Sequence, residues 1–184
     1  MSTSVRIRPE VQADYGAVFD LDVAAFDGDE EARLVGRIRS SEGFDPRLSL
    51  VAEREGRIVG HVVLSRIVIQ TPERDVTALA LAPVAVLPVF QRMGIGSALI
   101  RAALTAAASI GYGAVIVLGH PDYYPGFGCV PASGYGITAS FSVPDRAFMA
   151  LELVEGALDG IEGTVVYPAA FDEASLSPPS KSEK

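Results

Sequence analysis

The stretch VLPVFQRMGIGS, residues 86–97, decides the fold of this chain. It starts where an apolar strand pattern ends, and Gly94 and Gly96 interrupt that pattern. A helical apolar stripe follows and ends at Gly111; its members are Leu99, Ile100, Ala103, Leu104 and Ala107. The apolar run Ala114–Leu118 then has the composition of a strand that is buried on both faces. Strand, glycine turn, helix and strand together predict a right-handed parallel crossover.

The glycine turn suits a phosphate group. The first backbone N–H groups of a helix have no acceptor within the helix, and the helix dipole is positive there. Gly94 and Gly96 let the backbone approach a bulky anion, and Arg92 adds a cation. Leu99 stands where a dinucleotide fingerprint needs its third small residue, and the Gly-Lys-Ser/Thr of a Walker loop is absent. The alternative is that two glycines only form a tight connection.

Before this crossover the sequence predicts an antiparallel meander. Residues 5–8 alternate like a strand that Pro9 stops, and Tyr15, Val18, Leu21 and Ala25 have helical spacing behind a capping Asp14. A second helix is predicted over residues 29–40. The further predicted segments are strands at 48–52 and 57–69 around a Glu55-Gly56 turn, a polar turn at 71–75 and a strand at 76–86.

After the crossover, two more strands are predicted at residues 148–154 and 164–167, joined by a loop at 155–163. The last residues are rich in Ser, Pro, Lys and Glu and contain little to bury. We therefore expect one domain over residues 1–172 and a flexible tail over 173–184.

Composition narrows the class of protein. The 184 residues are 49% hydrophobic and 21% charged, which is typical of a globular protein, and the net charge of −8 disfavours nucleic acid and anionic membranes as partners. The single cysteine, Cys129, and the absence of metal-ligand spacing favour neither a disulfide nor a metal site. Without a signal peptide or an apolar span, the chain is expected to be cytoplasmic.

Residues 86–96 resemble the acetyl-CoA signature, Gln/Arg-x-x-Gly-x-Gly/Ala, of the GNAT superfamily of N-acetyltransferases. A second segment, GHPDYYPGFGC at residues 119–129, resembles the Tyr-x-x-x-Gly-Phe loop of that family, with Cys129 in place of the usual aromatic residue. The order of elements over residues 5–167 also matches. The resemblance implies a GNAT-like α/β (α+β) fold: a twisted, mostly antiparallel mixed sheet with a splayed central parallel pair and helices on both faces.

The resemblance also implies the site. Backbone amides of residues 92–97 hold the pyrophosphate, and Val84 to Val86 pair with pantetheine beside a bulge in the strand. Pro83 fits this bulge, because proline cannot donate a hydrogen bond to a neighbouring strand. The expected cofactor-binding residues are Val84, Ala85, Val86, Gln91, Arg92, Met93, Gly94, Ile95, Gly96 and Ser97. Tyr124 is the expected catalytic acid for the departing thiolate, because a phenol is protonated at neutral pH. Tyr123 is the second candidate for that role.

The expected reaction is acetyl transfer from acetyl-CoA to a primary amine by direct attack in a ternary complex, without a metal. The base stays open: Glu30 and Glu31 lie in a region that lines the acceptor side in this family, His120 follows the fifth strand, and His61 has the pattern of a strand histidine. Acceptor identity and homodimer formation also stay open. The alternatives are a non-catalytic acyl-CoA-binding or sensory module and an enzyme that uses a longer acyl-CoA.

Overall fold

The computed structural model describes residues 4–171 and residue 176, so the tail predicted over 173–184 lies, apart from Leu176, outside the described residues. Three α-helices and nine strands are defined: β1 Arg6–Pro9, α1 Tyr15–Phe26, α2 Glu30–Arg39, β2 Phe44–Arg54, β3 Arg57–Gln70, β4 Asp75–Val86, α3 Ile95–Ile110, β5 Ala114–Leu118, β6 Val130–Pro131, β7 Ile137–Ala139, β8 Phe148–Glu152 and β9 Gly163–Val166. This mixed sheet with helices confirms the predicted α+β fold class.

The described residues form two compact units. The first unit contains the residues up to 65 and residues 82–106, and the second contains residues 66–81 and those from 107 onward. Strands β3 and β4 and helix α3 each have residues in both units. The expectation that residues 1–172 act as one domain stays a prediction.

The first unit begins with antiparallel strands. Strand β1 pairs with β2 from Arg6 opposite Glu53 to Pro9 opposite Leu50, so Pro9 is the last paired residue and does not stop the strand before it. β2 and β3 form the predicted hairpin. Glu55 and Gly56 both have positive φ, at 52° and 75°, which is the conformation that a two-residue type I′ turn requires.

Asp14 does not cap α1 in the expected way. A short 3₁₀ turn over Gln12–Asp14 precedes the helix, and the Asp14 carboxylate accepts the N–H of Val11 at 2.8 Å. Arg8 donates two further hydrogen bonds to this carboxylate, at 2.7 and 3.0 Å, and these bonds lower the pKa of Asp14. The expected cap therefore holds the chain between β1 and α1.

Gly60 allows α3 to pack directly on β3. A Cβ atom at position 60 would lie 2.8 Å from Leu99 Cδ1, 3.2 Å from Ile95 Cγ2 and 3.3 Å from the Ala85 carbonyl oxygen. Ile95 and Leu99 are themselves buried in the first turns of the helix. The start of α3 can therefore pack closely on the sheet because Gly60 has no side chain.

The second unit contains the predicted parallel pair. β4 and β5 pair in parallel, with Leu79 opposite Val115 and Ala80 opposite Ile116. β5 pairs antiparallel with β8 from Ala114 to Leu118, and β8 also pairs with β6. β9 pairs antiparallel with β3 and parallel with β7.

Two details of this unit differ from the sequence prediction. β8 ends at Glu152 and not at residue 154, and the Glu152 carboxylate accepts the N–H of Leu158 in the following loop at 2.8 Å. The short strands β6 and β7 have no counterpart in the prediction. Segments of two and three residues are too short for a periodic pattern.

We predict that Gly60→Ala lowers the free energy of unfolding by about 1–3 kcal/mol, because Leu99 and Ile95 have to move within a packed core. The matched control is Gly36→Ala in α2, where a Cβ atom meets nothing within 4 Å. That control is expected to raise stability by about 1 kcal/mol through helix propensity. Urea denaturation measures both changes, and equal effects of the two variants would contradict the packing role of Gly60.

Candidate functional site

The end of β4 and the glycine turn are joined by hydrogen bonds within the first unit. The N–H of Leu87 donates to the Val59 carbonyl of β3 at 3.0 Å, and the Gln91 side chain donates to the Val86 carbonyl at 3.1 Å. Because a trans peptide holds its C=O opposite its N–H, the Val86 carbonyl points away from β3. Strand alternation directs the backbone groups of Val84 the same way.

The expected cofactor-binding residues on β4 differ in burial and in the direction of their backbone groups. Val84 and Val86 are half-buried and turn their backbone groups away from β3, whereas Ala85 is buried and its carbonyl lies against Gly60 of β3. Gln91 uses its side-chain amide to hold the strand end. The structure therefore brings Val86 and Gln91 together.

The turn itself has an unusual backbone. Arg92 and Gly94 have positive φ values of 60° and 79°, and the first hydrogen bond of α3 joins the Ala98 N–H to the Gly94 carbonyl at 3.0 Å. Alternation of left-handed and ordinary residues directs successive N–H groups to one side, which forms a concave site for anions. Gly94 is thus needed for its φ angle as well as for close approach.

The turn is open to solvent beside Gly94. Gln91, Arg92, Met93 and Gly94 are exposed, and a Cβ atom on Gly94 meets nothing within 4 Å. Among the remaining expected residues, Ile95 is the buried first residue of α3, and Gly96 and Ser97 are half-buried in the first turn of that helix. The backbone, the open space and the Arg92 cation together fit a diphosphate.

The Tyr124 loop belongs to the second unit. A 3₁₀ helix covers Tyr124–Phe127, and the backbone N–H groups of Tyr123 and Tyr124 donate to the His120 carbonyl at 3.2 and 3.4 Å. The Tyr123 and Tyr124 rings lie 5.2 Å apart in an edge-to-face arrangement, and Tyr123 is also 5.3 Å from Phe127. This cluster fixes the aromatic rings of the loop.

Gly119 makes room for the Tyr124 ring. A Cβ atom at position 119 would lie 2.8 Å from Cδ2 and 3.2 Å from Cζ of that ring. Tyr124 is half-buried, while Tyr123 is 41% exposed. The loop therefore places the two neighbouring tyrosines in different environments.

Cys129 is buried at the end of the same loop, and burial raises the pKa of its thiol to about 11. Only the thiolate is a strong nucleophile, so this thiol is unreactive near neutral pH. Cys129 serves as a small apolar residue in the position of the expected aromatic residue.

A buried polar group in the first unit contains His61. The Ser49 hydroxyl donates to Glu10 Oε1 at 2.7 Å and lies 3.0 Å from His61 Nε2. Since that hydroxyl has one proton, His61 donates from Nε2 to Ser49. Burial lowers the pKa of His61 to about 4, so the ring is neutral at pH 7.

This serine, histidine and glutamate do not form a nucleophilic triad. Ser49 and His61 are completely buried, and the carboxylate binds the hydroxyl and does not orient the ring. Arg39 completes the group through hydrogen bonds to Glu10 at 3.0 and 2.6 Å. This group of side chains has a structural role, and His61 is buried in β3, where its strand pattern predicted it.

Asp22 is a buried carboxyl group that is not among the site residues predicted from the sequence. It is 0% exposed, and neither carboxylate oxygen has a hydrogen-bond partner within residues 4–171. Burial raises the pKa of Asp22 to about 7, although the charge of Arg39 opposes the shift. The signal was present in the sequence, because Asp22 follows Val18 by four positions and so lies on the apolar stripe of α1.

The two acidic candidates of α2 differ in environment. Glu30 is exposed, whereas Glu31 is half-buried, and burial followed by the charge of Glu30 raises the pKa of Glu31. Within the part of the chain that the structure describes, no group of three His, Cys, Asp or Glu side chains is placed to hold a metal ion. No helix among those residues is long and apolar enough to cross a bilayer.

The mixed α+β sheet, with a parallel pair of strands and a glycine turn before α3, has the architecture expected of an acyltransferase of the resembled family, and the comparisons with known proteins show that class. A family model described as Acetyltransferase (GNAT) family matches residues 15–123. The chain belongs to the GNAT family, which confirms the resemblance, the fold and the enzyme class predicted from the sequence.

Relatives agree with this assignment. The chain is 35% identical to the Uncharacterized N-acetyltransferase YjhQ of Escherichia coli K12 over 73% of this chain and 75% of the relative. It is similar to the crystal structure of E. coli YhbS in complex with CoA, with a TM-score of 0.86 and 29% identity over 92% and 93% of the two chains. A Brucella melitensis GNAT acetyltransferase in complex with acetyl-CoA has a TM-score of 0.74 and 29% identity over 92% and 99%.

The raised pKa of Asp22 predicts how stability depends on pH. Between about pH 4 and 7 the native state keeps the Asp22 proton that the unfolded state has lost, so stability falls as pH rises, by up to about 1.4 kcal/mol per unit. His61 acts oppositely, because its lowered pKa makes stability rise from about pH 4 to its ordinary value of 6.5. The wild-type curve therefore combines two opposing slopes.

The variant Asp22→Asn removes only the Asp22 contribution to this pH dependence of stability. We expect the variant to match wild type near pH 4 and to become progressively more stable than wild type up to about pH 7, with a constant difference above that. Chemical denaturation at several pH values measures this difference. A difference that does not change with pH would show that Asp22 is ionised throughout.

Proposed function

We propose that the chain transfers an acetyl group from acetyl-CoA to a primary amine by direct attack in a ternary complex. The observation that carries the proposal is the turn formed by residues 91–97, where positive φ angles, a helix start and the Arg92 cation coincide. Relatives whose structures contain CoA or acetyl-CoA support this ligand. The thioester supplies an activated acetyl group, and the chain supplies binding, orientation and protons.

In this proposal the backbone performs most of the cofactor binding. The N–H groups from Arg92 to Ser97 hold the pyrophosphate, and the guanidinium of Arg92 adds a charge-assisted contact. The backbone groups of Val84 and Val86 pair with pantetheine, since they point away from β3, while Ala85 and Ile95 hold the strand and the helix in place. Gln91 fixes the end of the strand.

Direct attack is favoured over a covalent acyl-enzyme. The Cys129 thiol is buried and its pKa is raised, and Ser49 is enclosed with Glu10 and His61. A buried, protonated group is a poor nucleophile. The attacking group is therefore the amine, and Tyr124 donates the proton that the departing thiolate needs.

Arg92 and Glu55 provide a matched pair of variants for the cofactor site. Both are non-glycine residues with positive φ in the first unit, so glycine relieves backbone strain at either position. Arg92→Gly is expected to keep or raise the free energy of unfolding by up to about 1 kcal/mol while it weakens acetyl-CoA binding about tenfold. Glu55→Gly is expected to change stability similarly and to leave binding unchanged.

Calorimetry of acetyl-CoA binding and urea denaturation measure these effects. Equal affinities in the two variants would remove Arg92 from the site. If acetyl-CoA neither binds nor stabilises the wild-type protein, this result contradicts the proposed function itself. Binding without CoA release in the presence of a broad amine panel would favour the non-catalytic module.

Tyr124→Phe tests the acid. It preserves the ring over Gly119 and removes only the hydroxyl, so we expect acetyl transfer to slow by about 10² to 10⁴ with acetyl-CoA affinity unchanged. Tyr123→Phe is the control and is expected to stay within a few fold of wild type. Steady-state rates of CoA release measure both. A slow Tyr123 variant beside a normal Tyr124 variant would move the acid to Tyr123.

A further inference from the structure

Two apolar side chains beside the glycine turn are exposed to solvent. Val89 is 77% exposed and Met93 is 56% exposed, which are the largest values among the large hydrophobic residues that the structure describes. Val89 lies in the short 3₁₀ helix Pro88–Phe90 between β4 and the turn, and Met93 lies in the turn itself. Single exposed apolar residues need no explanation, but two at the edge of a proposed ligand site indicate a contact surface.

The segment that carries the turn differs in charge from the whole protein. The chain has a net charge of −8, yet residues 82–106 contain Arg92 and Arg101 and no Asp or Glu. Both arginines are exposed, Arg92 in the turn and Arg101 on α3. This part of the first unit is therefore locally basic within an acidic chain, and a local field of that sign attracts acidic partners.

The β2–β3 hairpin adds two more arginines. Arg54 and Arg57 lie opposite each other on either side of the Glu55-Gly56 turn. The Arg54 guanidinium lies 5.3 Å from the centre of the Phe90 ring, so the hairpin end is next to the 3₁₀ helix before the glycine turn. Like charges directly opposite each other destabilise a strand pair, and an acidic partner would offset that repulsion.

The donor of the proposed reaction indicates what meets this surface, which we call the rim and which consists of Arg54, Arg57, Val89, Arg92 and Met93. In the proposed function the phosphate lies on the backbone of residues 92–97, so the part of the donor beyond the phosphate leaves the site at the rim. In CoA that part is a nucleotide. Small acidic carrier proteins hold their acyl groups on the same phosphopantetheine arm, attached to a serine. Acidic and apolar side chains of such a protein complement the arginines and the two apolar residues of the rim.

We infer that the rim binds an acidic carrier protein that bears phosphopantetheine, so that carrier-bound thioesters are a second class of acyl donor for this enzyme. The inference rests on the proposed function and deepens it, since it extends the donor beyond CoA. The amine nitrogen attacks the thioester carbonyl carbon, the C–N bond forms and the C–S bond breaks. Tyr124 gives its proton to the sulfur and recovers one from solvent, to which the nitrogen releases its own. The products are the amide and a carrier protein with a free thiol.

The binding test uses a bacterial acyl carrier protein in its holo form, with phosphopantetheine alone and CoA as reference ligands. The apo carrier protein, which lacks the arm, shows what the protein surface contributes by itself. Titration calorimetry compares wild type with Val89→Glu and with the matched control Val11→Glu. Val11 is 55% exposed, and the N–H of the preceding Glu10 donates to the Ser49 carbonyl. Ser49 lies about 16 Å along β2 from Arg54, so the control is at the other end of the strand.

We expect wild type to bind the holo carrier protein at least about tenfold more tightly than phosphopantetheine alone, and the apo form more weakly than the holo form. Val89→Glu is expected to lose most of that gain, because its carboxylate enters an apolar contact and repels an acidic partner, while CoA binding stays within about twofold of wild type. Val11→Glu adds the same charge and is expected to bind like wild type.

Two further measurements test the charge and the reaction. Arg57→Glu places a carboxylate opposite Arg54, which favours the hairpin, and is expected to weaken binding of the holo carrier protein and to reduce the salt dependence of that binding. With an amine that wild type acetylates from acetyl-CoA, the acetylated carrier protein is expected to give a higher kcat/KM than acetyl-phosphopantetheine. Val89→Glu is expected to lower kcat/KM for the carrier protein only.

Three results would overturn the inference: the holo carrier protein binds no more tightly than phosphopantetheine, Val89→Glu and Val11→Glu bind it equally, or Val89→Glu weakens CoA binding as much as carrier binding. The last result would assign the rim to the nucleotide of CoA. A protein that binds and uses CoA but not the carrier protein keeps the proposed function and loses this second donor. A protein that binds neither loses both.

Discussion

The close packing of α3 on β3 at Gly60 is the constraint on which the candidate cofactor site depends. Ile95 and Leu99 occupy the volume that a side chain at position 60 would fill, so the first turn of the helix rests directly on the strand. The position of the first N–H groups of the helix relative to β3 therefore depends on the small size of residue 60. The neighbouring bond from Leu87 to Val59 fixes the strand end beside them.

The proposed recognition of acetyl-CoA at the glycine turn depends on the backbone more than on side chains. A non-glycine residue in the left-handed region costs about 1–2 kcal/mol, and Arg92 adopts that conformation three residues before α3 begins at Ile95. Strain of this kind persists where the surrounding structure determines the conformation, and it is common at functional sites. Arg92 thus combines an unfavourable backbone angle with a favourable charge. In the proposed function these backbone contacts bind the cosubstrate, and the choice of acceptor is left to other residues.

Buried charge divides the first unit into a satisfied and an unsatisfied part. Glu10 and Arg39 neutralise each other, and Ser49 links them to a neutral His61. Asp22 lies near these groups without sharing their hydrogen bonds. A paired buried charge costs little once its bonds are formed, whereas an unpaired one costs several kcal/mol or keeps its proton. The contrast explains why the pKa of Asp22 is raised to about 7, whereas Glu10 is held by the hydrogen bonds of Arg39.

The sequence by itself determined the features that depend on neighbouring residues. Glu55-Gly56 specified the hairpin turn, and runs rich in apolar residues specified β2 to β5. The two glycines before a helical stripe specified the crossover, and the motif around them indicated the family. Only the tertiary structure decided the features that depend on residues distant in sequence. The sequence does not predict that Gly60 and Gly119 are needed for close packing, because α3 and the Tyr124 ring meet them only in the folded chain. Asp14 binds Arg8 because a 3₁₀ turn precedes the helix, and Asp22 becomes informative only when α1 is seen to bury it without a partner. Local patterns encode backbone conformation, but close approach and hydrogen-bond satisfaction are decided by which distant groups meet, and a single sequence does not contain that list of contacts.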